Sequence, residues 1–215
     1  LSVGLSFGKA LAASLNKPFI AVNHLEGHAL SPMLNSKLNY PYLLLLISGG
    51  HSQYLGVKNL GKYKRLGTTI DDAIGEAFDK TAKLLGIEFP GGPQIEVLAK
   101  KGDPNKYNLP KPIFNKGGCN LSFAGLKTAI LKISKEIKND QEKFNLAASF
   151  QKTIIEILQK KTKIAFTEFE RQIKPKEKKF VVAGGVAANK EIRGMLIKIC
   201  KEENYEPIFP SIELC

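Results

Sequence analysis

A chain of 215 residues with 43% hydrophobic and 24% charged side chains is an ordinary globular sequence, long enough for one large domain or two lobes of about 100 residues each. Its 32 Lys and Arg against 20 Asp and Glu give a net charge of +12, which favours a polyanionic partner such as nucleic acid, although a lysine-rich surface accounts for it equally well. Three cysteines in odd number and without CxxC spacing fit a reducing compartment, and no apolar run approaches the ~20 residues of a membrane span, so no membrane association and a cytoplasmic location are expected.

The chain opens on Leu1 and stops at Cys215 directly after the strand-like PIFPSIEL, and is read as an internal piece of a longer protein. Val3 to Leu15 carries Leu5, Ala10, Leu11 and Leu15 at mixed spacings of three and four, which predicts an amphipathic helix. Asn16 and Pro18 end it, and Phe19 to Val22 reads as a short buried strand. In the following NHLEGHAL, Asn23 caps a helix that sets His24 and His28 at i and i+4 on one face, where two imidazoles can share a metal. Such a pair also arises by chance. Two ligands leave a site to be completed by carboxylates or substrate oxygens, and Leu25 stands where the zinc-protease motif needs Glu.

Tyr42 to Ser48 is a short apolar run cut off by Gly49-Gly50, the pattern of a strand buried on both faces. Extended residues resume at Gln53, so the two strands form a hairpin with Ser48-Gly49-Gly50-His51 at its tip. Glycine there serves either a tight turn or the close approach of main-chain N–H groups to an anion, to which a hydroxyl of Ser48 or Ser52 can add a donor. Lys58, Lys62, Lys64 and Arg65 make a basic rim. From Gly67 to Gly86 a helix is predicted, capped by Thr68 or Thr69, with Asp71 and Asp72 in its first turn and Ala73, Ile74, Ala77 and Phe78 in its buried stripe. Asp72, Glu76 and Asp79 then line one face, as a site or as a solvated acidic face balanced by Lys80 and Lys83. Pro90-Gly91-Gly92-Pro93 reads as a rigid turn, with Glu96 one helical turn beyond Gly92.

Lys100 to Gly118 is a loop and a lobe boundary, dividing residues 1–100 from 101–215. LSFAGLK opens a helix from Leu121 to about Ile137, and a long helix covers Asn139 to Gln172. Phe180 to Ala183 is a second strand followed by Gly-Gly, after which a helix runs from Ala188. Its N-terminus, with Asn189 nearby, suits an anion or a nucleoside hydroxyl. Neither a Walker A loop nor a complete dinucleotide fingerprint is present.

Taken together, VNHLEGH, LLISGGHSQ, GTTIDDAIGEAFDKTAKLLG, PGGP, SFAGLK and VAGGVAAN, in this order and spanning essentially the whole chain, closely resemble the TsaD/Gcp family (OSGEP in eukaryotes). That resemblance implies an α/β fold of the actin/Hsp70/sugar-kinase (ASKHA) type, two-lobed and here incomplete at both termini. It implies transfer of a threonylcarbamoyl group from threonylcarbamoyl-adenylate to N6 of the adenosine 3′ of the anticodon, in tRNAs reading codons that begin with adenine. It also implies one divalent metal on His24 and His28, iron rather than zinc. The substrate would be bound by Leu46, Ile47, Ser48, Gly49 and Gly50 and by Asp79, Gly92, Glu96 and Asn189. Relatives often carry Asp where this sequence has Glu96. The implied partners are tRNA and, in a bacterium, TsaB-like and TsaE-like helper proteins. Relatives carry a further phosphate loop before the segment matching Leu1 and a further metal-ligating Asp after that matching Cys215, so this piece alone is expected to be inactive. The competing readings are a metal-dependent glycoprotein endopeptidase and a non-catalytic module binding ATP and nucleic acid.

Overall fold

A computed structural model describes residues 2–34 and 36–210 of the chain. Its centre is strand β1, Tyr42–Ile47, whose six residues are all fully buried. On one side β2 (Ser52–Asn59) pairs antiparallel with β1, and β3 (Lys62–Thr68) pairs antiparallel with β2. On the other, β4 (Lys179–Ala183) runs parallel to β1, and β5 (Glu206–Ile208) runs parallel to β4. The sheet order is therefore β3-β2-β1-β4-β5. In the β1–β4 register Leu43 faces Phe180 and Leu46 faces Ala183, so both Gly-Gly pairs leave the sheet at the same end. There the main chains nearly touch. Gly184 adopts φ 98°, and a side chain on it would collide with the Ile47 carbonyl, so only glycine fits.

Side chains of a strand alternate between faces, and β1 uses that alternation to serve two cores. Leu43, Leu45 and Ile47 join Phe180 and Val182 beneath five helices: α3 (Ile74–Leu84), α4 (Gly91–Ala99), α5 (Ala124–Ser134), α6 (Asp140–Ile173) and α7 (Lys190–Glu202). Tyr42, Leu44 and Leu46 join Val181 and Ala183 on the opposite face, against Ala29 of α2 (His24–Leu30) and Leu38. Each fully buried Leu, Ile or Val among these stabilises the fold by roughly 1.5–3 kcal/mol. Residues 1–100 and residues 101–215 both supply strands to this sheet and side chains to the larger core.

Several elements differ from the sequence expectation. Helix α1 forms over Ser2–Ser14 but buries none of its residues. Phe19 to Val22 is not a strand: it pairs with no described strand, and Ile20 and Val22 are each 80% exposed. The helix expected from Thr68 or Thr69 begins only at Ile74, with Ala73 at its N-cap. The preceding residues are taken by other partners: Thr69 N–H donates to the Ser52 carbonyl, and the Ile70 and Leu121 amides pair residues 68–70 with Leu121. The Asp71 carboxylate accepts from the Ser122 hydroxyl and the Phe123 amide, which also delays α5 to Ala124. The expected PGGP turn is instead the start of α4, with Pro90 at the cap and Pro93 in the first turn, where proline is tolerated. Gly185–Ala188 forms a single 3-10 turn before α7. Residues 211–215, the end of the strand-like PIFPSIEL segment, lie outside the described residues.

Candidate active site

At the carboxyl ends of β1 and β4 lies a cavity of about 480 Å3. Its walls are mostly apolar, from Phe78, Phe89, Pro90 and Val186. The polar groups among them are the side chains of Asp79, Glu96 and Asn189, beside the main chain at Gly49, Gly92 and Gly185. A concave, largely apolar pocket with a few converging polar groups is the usual form of a small-molecule site, and this volume lies within the typical range of roughly 300–1,000 Å3. Five of the residues singled out from the sequence therefore meet here: Gly49, Asp79, Gly92, Glu96 and Asn189.

The hairpin tip owes its shape to its own hydrogen bonds and to α3. Ser48 N–H donates to the His51 carbonyl at 2.8 Å, and His51 N–H donates to Ser48 Oγ at 3.1 Å. The first amides of α3 then reach back to the hairpin, Ile74 N–H to Ser52 Oγ at 2.8 Å and Gly75 N–H to the Ser48 carbonyl at 3.3 Å. A Cβ on Gly75 would lie 2.6 Å from the Ser48 oxygen and 2.7 Å from Gly49 Cα, so the helix can approach only as glycine. Gly49 and Gly50 stay exposed at the tip. Leu46 and Ile47, also expected at the substrate, are fully buried in the two opposite cores, so their side chains anchor the strand end.

Each polar side chain of the cavity is held by a second element. Asp79 Oδ1 accepts from Gly91 N–H at 3.0 Å, which ties α3 to the start of α4. Glu96 Oε1 accepts from Lys190 N–H at 3.3 Å, which ties α4 to the start of α7. Asn189 caps α7 through Oδ1, which accepts from Ile192 N–H at 3.0 Å, and its Nδ2 donates to Gln151 Oε1 of α6, also at 3.0 Å. A carboxylate retains acceptor capacity after one such bond, and an amide retains a second N–H, so the same groups can still serve a ligand. The expected line of three carboxylates is broken up. Asp72 lies outside the helix and joins Glu76 on Lys80, at 2.7 and 2.6 Å, while Asp79 alone enters the cavity.

His24 and His28 lie in a separate hollow with Asn23, Gly27 and Ser31. Asn23 Oδ1 accepts from Leu25 N–H at 2.9 Å and caps α2 as its sequence predicts. The helix brings the two imidazole centroids to 4.6 Å. Burial, and the neighbouring His24 and His51, hold His28 below its ordinary pKa, which favours the neutral, ligating form of the ring. The helix is fastened to the sheet by Tyr63 Oη donating to Glu26 Oε1 and Tyr42 Oη donating to the Ala29 carbonyl, both at 2.8 Å. Two adjacent imidazole nitrogens suit a borderline divalent metal such as iron or zinc, and no cluster of three or more ligating side chains occurs among the described residues.

Two supporting residues, Gly75 and Gln151, escaped the sequence reading, and Ser52, expected as a hydroxyl donor to an anion, is instead buried and accepts from Ile74 N–H. Gln151 is a buried amide of α6 whose partner lies 38 residues away. The roles of Ser52 and Gly75 exist only once the hairpin meets α3.

Among the described residues, no helix is long and apolar enough to cross a membrane. A solved structure titled as full-length HypF in its phosphate- and nucleotide-bound form superposes with a TM-score of 0.66 over 94% of this chain and 41% of that one, at 14% identity. The mixed α/β sheet is thus of the actin and sugar-kinase type. The tRNA N6-adenosine threonylcarbamoyltransferase of Pelagibacter ubique (strain HTCC1062) is 80% identical over 215 residues, covering 100% of this chain and 60% of the relative. That of Rickettsia rickettsii (strain Sheila Smith) is 54% identical, covering 99% of this chain and 63% of the relative. The chain thus spans rather less than two thirds of the length of these relatives. The family model for TsaD, tRNA N6-adenosine threonylcarbamoyltransferase, matches residues 1–215 throughout, and the chain belongs to that family.

Proposed function

We propose that the protein transfers a threonylcarbamoyl group from threonylcarbamoyl-adenylate to N6 of the adenosine 3′ of the anticodon, in tRNAs reading codons that begin with adenine. The observation that carries this reading is the parallel β1–β4 register, which sets both Gly-Gly turns beside Asp79, Glu96 and Asn189 in one pocket. Family membership supplies the reaction class.

In this reading the adenylate occupies the cavity. Ser48, Gly49 and Gly50 face its acyl-phosphate end, where main-chain N–H groups stabilise charge developing on phosphate as AMP departs. Asp79, Gly92, Glu96 and Asn189 hold the nucleoside. The N6 amine attacks the carbamoyl carbon, the bond from that carbon to the phosphate oxygen breaks, and AMP leaves with the electron pair. The surplus N6 proton passes to solvent. An adenine amine is a weak nucleophile, so much of the rate enhancement comes from holding it against an activated carbonyl. His24 and His28 would hold one divalent metal, iron in preference to zinc, which when bound supplies Lewis-acid polarisation of carbamoyl and phosphate oxygens. The exposed Lys62, Lys64 and Arg65 of edge strand β3 offer a basic rim for the tRNA backbone. TsaB-like and TsaE-like helpers and a cytoplasmic setting complete the reading.

Calorimetric titration with a non-hydrolysable threonylcarbamoyl-adenylate analogue, with iron, with zinc and without metal, tests it. Binding that is strengthened by metal and weakened in both His24→Ala and Asp79→Ala supports the transferase. No binding under any metal condition removes it.

A further inference from the structure

We propose that Gln151 is a positioning residue for the nucleotide pocket, acting through Asn189; the inference rests on the adenylate reading above. Asn189 is 8% exposed and lines the cavity, and its carbonyl oxygen is committed, because the Ile192 N–H at 3.0 Å can pair only with an acceptor. That bond fixes which end of the amide is which. Asn189 Nδ2 is therefore turned towards α6, where it donates to Gln151 Oε1 at 3.0 Å across a sequence separation of 38 residues. Gln151 is itself 6% exposed and follows Phe150 on the buried side of α6.

A side-chain amide between two wells of its terminal torsion can otherwise rotate. Two buried hydrogen bonds from different helices hold Asn189 in one orientation, with its remaining N–H as the group offered to a ligand. Gln151 never needs to touch that ligand. Its contribution is an acceptor, which the carbonyl oxygen of a carboxyl group held neutral by burial retains at the same place and an apolar side chain of similar size does not.

The test is a double-mutant cycle read by AMP titration. Gln151→Leu lowers AMP affinity by on the order of tenfold, the effect of one buried hydrogen bond and the freedom it restrained. Gln151→Glu stays within about threefold of wild type. Combining Gln151→Leu with Asn189→Ala binds no more weakly than Asn189→Ala alone, since one residue works through the other. In parallel, the Asn189 side-chain N–H signals of the wild-type protein exchange with solvent more slowly than those of exposed Asn59, whatever the variants do to folding. Additive losses in the cycle, an unaltered Gln151→Leu, or fast-exchanging Asn189 signals would each overturn the inference while leaving the adenylate site intact. Failure of the wild type to bind AMP overturns both.

Discussion

The pocket at the sheet end and the histidine pair on α2 are built by opposite means. In the pocket, Asp79, Glu96 and Asn189 each bridge to an element other than their own, so four helices and two strands have to be in place before the site exists. The histidines need only one capped seven-residue helix, and His24 is exposed to solvent. Tertiary contacts preorganise the first place and local helix geometry the second. A site of the first kind is rigid and couples binding to folding. One of the second kind can lose a ligand with little consequence for the fold.

Gly75→Ala strains the pocket at its tightest contact and gives the largest effect. With a Cβ placed 2.6 Å from the Ser48 oxygen, α3 must withdraw from the hairpin tip. Denaturant unfolding should show a loss of about 2–3 kcal/mol, accompanied by loss of adenylate binding. An unaltered midpoint and affinity would mean that the tip is not held rigidly by the helix. Asp79→Ala comes next. It removes the acceptor from the Gly91 amide, which costs about 1–2 kcal/mol in the same measurement, and it weakens adenylate binding as well. If affinity fell with no change in stability, Asp79 would be a ligand only and not a tie between α3 and α4. The smallest effect on the fold is expected for His24→Ala, within about 0.5 kcal/mol of wild type, because the ring is exposed. Its metal affinity, measured by direct zinc titration, should nevertheless fall at least about tenfold when one of two imidazole ligands is lost. A large loss of stability in His24→Ala would show that the pair is structural and erase the contrast between the two places.

What the sequence determined by itself was local. The apolar run before Gly49-Gly50 specifies β1, since a run of six buried residues closed by glycines is too short for a helix and suits a strand covered on both faces. Asn23 dictates the start of α2, and Asn139 that of α6, because a cap acts on amides two or three residues away. The order and spacing of its motifs were enough to assign the family, and with it five residues that meet in one cavity. Tertiary structure decided whatever depended on a distant partner. Phe19 to Val22 has strand composition but pairs with no described strand, and a strand is defined by its ladder. Thr68 to Ala73 has helix-start composition, yet Ser52, Leu121, Ser122 and Phe123 capture its polar groups. The carboxylate line divides for the same reason, with Lys80 drawing off Asp72 and Glu76 while Gly91 engages Asp79. Gln151 finds Asn189 across 38 residues, a distance over which neither periodicity nor capping carries information. Hydrophobic period and caps act within a turn or two of the chain, whereas hydrogen bonds between elements exist only after the sheet has brought those elements together.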